Sequence, residues 1–192
     1  KIKSVKVRRI NIPFKVAFTH SLASRSEVES VIFQLESESG NVGFGECIPR
    51  DYVTGETVDG VIGHLTDIVA PVLERREFDD FSAIETWLEN FHEIFTSLGE
   101  YDLCVKSCVD LALLDLFGKE HGQSVSSYLP PIKSGKVNYS AVLSADSPEK
   151  VEKMLKKYRL LMIKQVKLKV GVDHQTDLEN VGLVYKILGK RA

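Results

Sequence analysis

The sequence predicts an α+β domain over residues 1–133, followed at 134–192 by the first β-α-β-α units of a (β/α) barrel that is incomplete in this chain. Two observations predict this class. In the first part, strand patterns precede helix patterns, which is typical of α+β domains. In the second part, strand and helix patterns alternate, which is typical of parallel strands joined by crossover helices.

Strand patterns occupy the beginning of the chain. Ile2–Ile12 is expected to be the first strand. Val28–Leu35 and Asn41–Cys47 are expected to form a hairpin around the polar turn at 36–40, because that turn contains serines and a glycine. These patterns place the sheet of the first domain before its helices.

Helix patterns follow the strands. Two of the predicted helices carry an apolar stripe, and the first of them is expected to end at Pro71. The third, Leu103–Lys119, is apolar along nearly its whole length, as expected of a helix buried between layers. The stripes consist of Val58, Ile62, Leu65 and Val69 in the first helix and of Ile84, Trp87, Leu88, Phe91 and Phe95 in the second.

The second part alternates between strand and helix. Val137–Ser144 is expected to be a strand, and Asp146–Glu149 has the capping residue, early proline and acid of a helix start. After a strand near 166–170, Asp173 or Thr176 is expected to cap a second helix. The predicted stripes are Val151, Met154, Leu155, Tyr158 and Leu161 in one helix and Leu178, Val181, Val184, Tyr185 and Leu188 in the other.

Lys167 and Lys169 lie on one face of the predicted strand at 166–170, because side chains two apart on a strand point the same way. Neighbouring ammonium groups disfavour each other's protonation, which favours one lysine as a base. A half-exposed strand with a solvated basic face is the alternative. If this strand belongs to a (β/α) barrel, a lysine base is favoured over a solvated basic face, since inward side chains at the carboxyl ends of barrel strands line the active site. Lys169 lies at that end, two residues before Gly171.

Nearly the whole chain resembles the enolase superfamily, and within it the mandelate racemase/muconate lactonizing enzyme group that includes the dipeptide epimerases. The resemblance is carried by Lys167-Leu168-Lys169, by Gly-Phe-Gly-Glu at 43–46, by Tyr-Val-Thr-Gly-Glu-Thr at 52–57 and by the helix Val105–Leu116. It implies an N-terminal capping domain, made of a three-stranded antiparallel sheet and a helical bundle, that covers the mouth of the barrel.

The resemblance also implies a reaction, namely magnesium-dependent abstraction of a proton α to a carboxylate. Lys169 is expected to be the base and Lys167 its neighbour, with epimerisation of a dipeptide or other amino-acid derivative as the first hypothesis. A cycloisomerase and an o-succinylbenzoate synthase-like dehydratase are alternatives, and a non-catalytic capping fragment with an assembly or binding role is a third. The Mg²⁺ ligands are expected beyond Ala192, so this chain alone is expected to be inactive.

Substrate contacts are expected from two loops of the capping domain, at 17–26 and at 49–57. Arg25 is the main candidate, because a guanidinium pairs bidentately with a distal carboxylate; a surface arginine is the alternative. Thr54 either contacts substrate or caps the helix that follows. The candidate substrate-binding residues are Arg25, Ser24, His20, Tyr52 and Thr54.

Composition excludes several classes of function. With 43% hydrophobic residues, 27% charged residues and a net charge of -2, the chain has the composition of an ordinary soluble protein rather than a nucleic-acid binder. No apolar run of membrane-spanning length is present and no secretory leader is expected, so we expect neither export nor membrane spanning, and the cytoplasm is the expected location. The expected partners are a small carboxylate substrate and further copies of the chain. Cys104 and Cys108 are interpreted as core thiols and Glu46 as a structural group that fixes its loop by accepting hydrogen bonds. Glu56, Asp110 and Asp115 are interpreted as surface or interface groups.

Overall fold

The computed structural model describes residues 1–20, 23–95, 102–131 and 133–189, apart from the side chains of 16–20 and 23–25. The described chain divides into two compact units. The first comprises Lys1–Pro13 and Glu27–Pro131, and the second comprises Phe14–Ser26 together with the chain from Ile132 onward. The division falls next to the predicted boundary at 133, but the inclusion of 14–26 in the second unit was not indicated by the sequence.

A three-stranded sheet contains β1 (Ile2–His20), β2 (Ala23–Ser37) and β3 (Val42–Cys47), in the order β1-β2-β3. Strands β2 and β3 are antiparallel, with Val31 opposite Cys47 and Glu36 opposite Val42. The predicted hairpin between 28 and 47 is therefore confirmed. Gly40 has φ of 89° in its turn, a conformation that a residue with a Cβ rarely adopts.

The predicted loop at 17–26 is wrong over its described residues. Strand β1 continues to His20 and β2 begins at Ala23, so only residues 21 and 22 separate the two strands, and these lie outside the description. Val16, Phe18 and Thr19 are β-branched or aromatic, and such residues favour extended backbone. The segment was nevertheless predicted to be a loop, because residues 19–26 are mostly polar.

The helices of the first unit follow the sheet. The predicted stop at Pro71 is wrong, because the proline lies in the first turn of a further helical segment, where its missing N–H is not needed. The second predicted helix is interrupted at Asn90, whose amide donates to the Thr86 carbonyl over 2.9 Å in competition with the backbone. The segments are α1 (Asp51–Thr54), α2 (Val58–Gly63), a π-helical turn (His64–Val69), α3 (Ala70–Leu73), α4 (Phe81–Glu89), α5 (Phe91–Ile94), α6 (Leu103–Glu120) and a 3₁₀ turn (Val125–Ser127).

Helix α6 lies directly on β3, and two glycines make this approach possible. A Cβ on Gly45 would lie 1.8 Å from the Cys108 carbonyl oxygen, and one on Gly43 would lie 2.4 Å from that of Ala112. Both contacts are far inside van der Waals distance, and both involve the helix backbone. The Gly-Phe-Gly-Glu motif is thus a packing motif. The buried core around it includes Val31, Phe33, Leu35, Leu65, Trp87, Phe91, Val105, Val109, Ala112 and Leu113.

The second unit contains β4 (Ala141–Leu143), α7 (Pro148–Leu160), β5 (Val166–Leu168) and α8 (His174–Leu188), and the two strands pair in parallel. Of the predicted α8 stripe, Leu178, Val181 and Tyr185 are exposed. The packed side of α8 is rotated from the predicted one, because the helix contacts α7 and the sheet through a neighbouring face. The core of this unit comprises Leu143, Val151 and Leu155, with Tyr158, Val166, Leu168, Leu183, Val184, Ile187 and Leu188 packed against them.

Three free cysteines occur among the residues that the structure describes, and two of them, Cys47 and Cys108, are buried. A hydrogen bond with Cys108 and burial raise the pKa of the Cys47 thiol well above its usual range. Burial, followed by the neighbouring carboxylate of Glu56, raises the pKa of Cys104 to about 12. Within the described ranges, no helix combines the length and the apolar character needed to cross a membrane.

Candidate functional site

Strands β4 and β5 end at the same edge of their sheet, as parallel neighbours do. Ala141 lies opposite Val166, and Leu143 lies opposite Leu168. The Lys169 backbone N–H donates to the Leu143 carbonyl over 2.9 Å, which extends the pairing one residue past the end of β5. The backbone of Lys169 is therefore held by the sheet at the point where both strands give way to loops.

The two faces of this small sheet differ in chemistry. Val166 and Leu168 pack against the apolar core of the second unit, whereas Lys167 is exposed and pairs with Val142, which is 48% exposed. Lys169 is half-buried. Because side chains alternate along a strand, Lys167 and Lys169 project from the face opposite to the helices. This arrangement presents two amines at the carboxyl end of a parallel strand, where general bases of barrel enzymes are found.

Helix α8 holds the loops that follow both strands. The Gly171 N–H donates to Oδ2 of Asp177 over 2.8 Å, and Nδ2 of Asn180 donates to the Asp146 carbonyl over 2.9 Å. Asp173 caps the helix by accepting from the Thr176 N–H over 2.9 Å. The sequence interpretation identified the cap but missed Asp177 and Asn180. The sequence shows that Asp177 is an acid in the first helical turn. It does not show that this acid accepts a hydrogen bond from the preceding loop, because that contact depends on the fold.

The candidates at 20–25 cannot be placed, because the side chains of His20, Ser24 and Arg25 lie outside the described residues. Tyr52 lies in α1 and is 38% exposed. Thr54 does not cap α2; Thr57 does, by accepting from the Gly60 N–H over 3.1 Å. The hydroxyl of Thr54 is instead directed at the Arg50 carbonyl, 3.5 Å away.

The expectation that Glu56 is a surface or interface group is wrong, since the residue is only 7% exposed. Its Oε1 accepts from the Cys104 N–H over 2.8 Å, at the first turn of α6. Carboxylates are stabilised at helix N-termini, where backbone N–H groups have no partner in the helix. Glu56 therefore fastens the 49–57 segment to the start of the longest helix. By contrast, Glu46 accepts a hydrogen bond from the Ser30 hydroxyl, in agreement with the structural role expected from the sequence.

Replacing Glu56 with alanine is expected to lower the free energy of unfolding by about 1–3 kcal/mol, because a buried helix-terminal N–H loses its acceptor. Urea denaturation followed by circular dichroism measures the change. Glu56→Gln keeps an acceptor oxygen and is expected to lose less. Glu74→Ala removes the same charge from an exposed position and serves as the control. Equal stabilities of the Glu56→Ala and Glu74→Ala proteins would show that the contact contributes nothing.

The described residues offer no ligand set for a divalent metal. Nowhere in the described ranges do three His, Cys, Asp or Glu side chains converge in a way that could hold an ion. Asp115, for example, accepts from the Phe44 N–H and the Lys119 amine, over 2.8 and 2.7 Å. Burial raises the pKa of Asp110, another acid of α6. The Asp115 carboxylate is thus used within the fold.

Known proteins share this architecture. The chain is 27% identical to the L-Ala-D/L-Glu epimerase of Clostridium acetobutylicum over 98% of its length and 50% of that enzyme. It is 27% identical to the hydrophobic dipeptide epimerase of Enterococcus faecalis, over 98% of the chain and 51% of the relative. The crystal structure of the Enterococcus faecalis dipeptide epimerase complexed with Mg and the dipeptide L-Leu-L-Tyr matches with a TM-score of 0.83 at 25% identity, covering 100% of this chain and 51% of that one.

The chain thus spans about half the length of the curated relatives that it matches. Its sheet and helices correspond to an N-terminal capping domain, and the β-α-β-α unit follows that domain. Residues 1–129 match the family described as "Mandelate racemase / muconate lactonizing enzyme, N-terminal domain". The chain therefore belongs to this family of the enolase superfamily.

Proposed function

We propose that the whole protein abstracts a proton α to a carboxylate and thereby epimerises a dipeptide or another amino-acid derivative. The observation that carries this proposal is the position of Lys169 at the carboxyl end of β5, on the face opposite to the helices. The names of the relatives support the reaction type, since they are epimerases of dipeptides.

In this proposal Lys169 acts as the general base. The proton is removed from carbon, so the amine must be neutral and held near its target, and the sheet hydrogen bond of Lys169 limits the freedom of its backbone. Lys167, two residues earlier on the same face, offers a positive charge to the substrate carboxylate. Epimerisation also needs an acid on the opposite face of the planar intermediate. The role of this acid is assigned to none of the described residues.

We further propose Mg²⁺ as the cofactor, since relatives have been crystallised with Mg and dipeptide. When bound next to a carboxylate, such an ion stabilises negative charge that develops on the substrate oxygens. The described residues of this chain do not fit a magnesium site. No residue of this chain is therefore given a part in holding the metal.

Deuterium exchange tests the proposed function. The whole protein, supplied with MgCl₂, is incubated in D₂O with a panel of L,L and L,D dipeptides that carry acidic, hydrophobic or basic C-terminal residues. Loss of the α-proton signal in ¹H NMR, with appearance of the epimer, is expected for at least one class. Absence of exchange across the panel would reject the epimerase. Formation of a lactone or an alkene from other carboxylates would instead favour the cycloisomerase or dehydratase alternatives.

Arg25 is proposed to bind a distal carboxylate of the substrate, in which case Arg25→Met acts on one substrate class. The KM for dipeptides ending in Glu or Asp is expected to rise on the order of 10- to 100-fold, because a charged hydrogen-bonded pair is lost. Hydrophobic dipeptides are expected to change less than about twofold, since they do not use the guanidinium. Arg8→Met, at an exposed position of β1, is the matched control. An equal rise in KM for all substrates would remove Arg25 from this role.

A further inference from the structure

The backbone at Gly171, close to Lys169, is not held by the sheet. It lies two residues beyond Lys169 and has φ of 113°, in the region that favours glycine. It also lies beyond the last ladder hydrogen bond of β5, which is donated by Lys169 itself. The sheet therefore holds the chain up to Lys169, and something else must hold it afterwards.

That support comes from the first turns of α8. Oδ2 of Asp177 accepts from the Gly171 N–H over 2.8 Å, and it is a charged acceptor, which makes the hydrogen bond stronger than one between neutral groups. One turn later, Asn180 is only 1% exposed and donates to the Asp146 carbonyl in the loop after β4. Residues 177 and 180 lie three apart, so they share a face of the helix. One helix face thus fastens the loops after both parallel strands.

Two further oxygens on this face of α8 are buried. Within the described residues, Oδ1 of Asp177 and Oδ1 of Asn180 are buried and accept no hydrogen bond. A buried carboxylate with an unused oxygen is costly unless its other oxygen is well paired. In the described structure, the hydrogen bond that the Asp177 carboxylate accepts comes from the Gly171 N–H, so this contact connects the two groups.

We propose that Asp177 is a positioning residue for Lys169. By holding Gly171, it fixes the direction in which the chain leaves β5 and thereby the direction of the Lys169 amine. The catalytic part of this inference rests on the proposed function, whereas the geometric part does not. Asn180 supports the loop after β4 through its hydrogen bond to the Asp146 carbonyl.

Asp177→Ala in the whole protein tests the proposal. We expect kcat for α-proton exchange to fall on the order of 10- to 100-fold with KM within about twofold, because the base is displaced while substrate binding is retained. Asp177→Asn keeps an acceptor oxygen and is expected to retain most of kcat. Asp177→Glu keeps the charge but moves the carboxylate, so it is also expected to lose activity. This variant tests the proposal if Asp177→Ala folds poorly.

Two readouts separate positioning from general loss of stability. Amide hydrogen exchange at Gly171 is expected to accelerate at least about tenfold in Asp177→Ala, since its protecting acceptor is gone. Glu179→Ala removes the same charge from the same helix, where the Glu179 carboxylate accepts only from Gln175 over 2.9 Å in the described structure, and it is expected to leave kcat and Gly171 exchange unchanged. A fall in kcat that is explained by a smaller folded fraction would overturn the proposal.

A structure of the Asp177→Ala protein decides the question independently of activity. The Lys169 amine and the Gly171 backbone are expected to move by about 1 Å or more, a displacement large enough to affect proton transfer. Unchanged positions of both would overturn the inference, whether or not the protein is an epimerase. Absence of exchange by the wild-type protein, with the displacement present, would reject the proposed function and leave the positioning role standing.

Discussion

Replacement of Lys169 by alanine in the whole protein is expected to reduce α-proton exchange by two to four orders of magnitude, the range that a general base contributes. The loss arises because no amine remains at the end of β5 to accept the proton. Lys169 is half-buried and lies outside the buried core of Leu143, Val151 and Leu155, so the folded fraction and the melting temperature are expected to stay close to those of the wild type. The measurement is loss of the α-proton signal in D₂O at saturating dipeptide.

Two variants make this result specific. Lys164→Ala removes an exposed lysine just before β5 and is expected to retain wild-type exchange. Lys167→Ala leaves the base in place but removes a positive charge that is offered to the substrate carboxylate, so a smaller fall in exchange is expected. Substantial exchange by Lys169→Ala would remove Lys169 from the role of base.

Gly45→Ala is expected to cost about 3 kcal/mol or more of unfolding free energy, at or above the upper end of the range for overpacking. The added Cβ would lie 1.8 Å from the Cys108 carbonyl oxygen, which belongs to the backbone of α6 and cannot rotate away. Either β3 or the helix must shift, and such a shift opens the core between them. Chemical denaturation followed by circular dichroism measures the loss.

Gly63→Ala is the matched control for this prediction. Gly63 has helical φ and ψ of -58° and -50°, and a Cβ there meets no atom within 4 Å. The same substitution is therefore expected to stabilise the protein by about 0.5–1 kcal/mol, through better helix propensity. If both variants had wild-type stability, the close approach of α6 to β3 would not be a constraint on the sequence.

Local patterns predicted those elements whose determinants lie within a few residues of each other. Leu103–Glu120 was anticipated from its apolar run, and the start of α7 from Asp146–Glu149. The Asp173 cap was one of two alternatives, and the structure selects it because its carboxylate reaches the Thr176 N–H. Periodicity and capping chemistry are sufficient for such features.

Features that depend on distant contacts were missed. Glu56 contacts the Cys104 N–H, 48 residues away in sequence, so no local pattern could distinguish it from a surface acid. The packed face of α8 depends on where α7 and the strands lie, and the apolar residues of the helix were too evenly distributed to indicate that face. The Lys167 and Lys169 pair was visible because strand alternation is itself a local property, but Asp177 required knowledge of the fold.

The raised pKa values of two thiols have a consequence for how the protein tolerates oxidants. Peroxides and disulfide reagents react with the thiolate rather than the thiol. Because the pKa values of Cys47 and Cys104 are raised, both sulfurs stay protonated at neutral pH and are poor nucleophiles. Adducts on these two sulfurs, one on β3 and one at the start of α6, are therefore expected to form slowly under oxidative conditions.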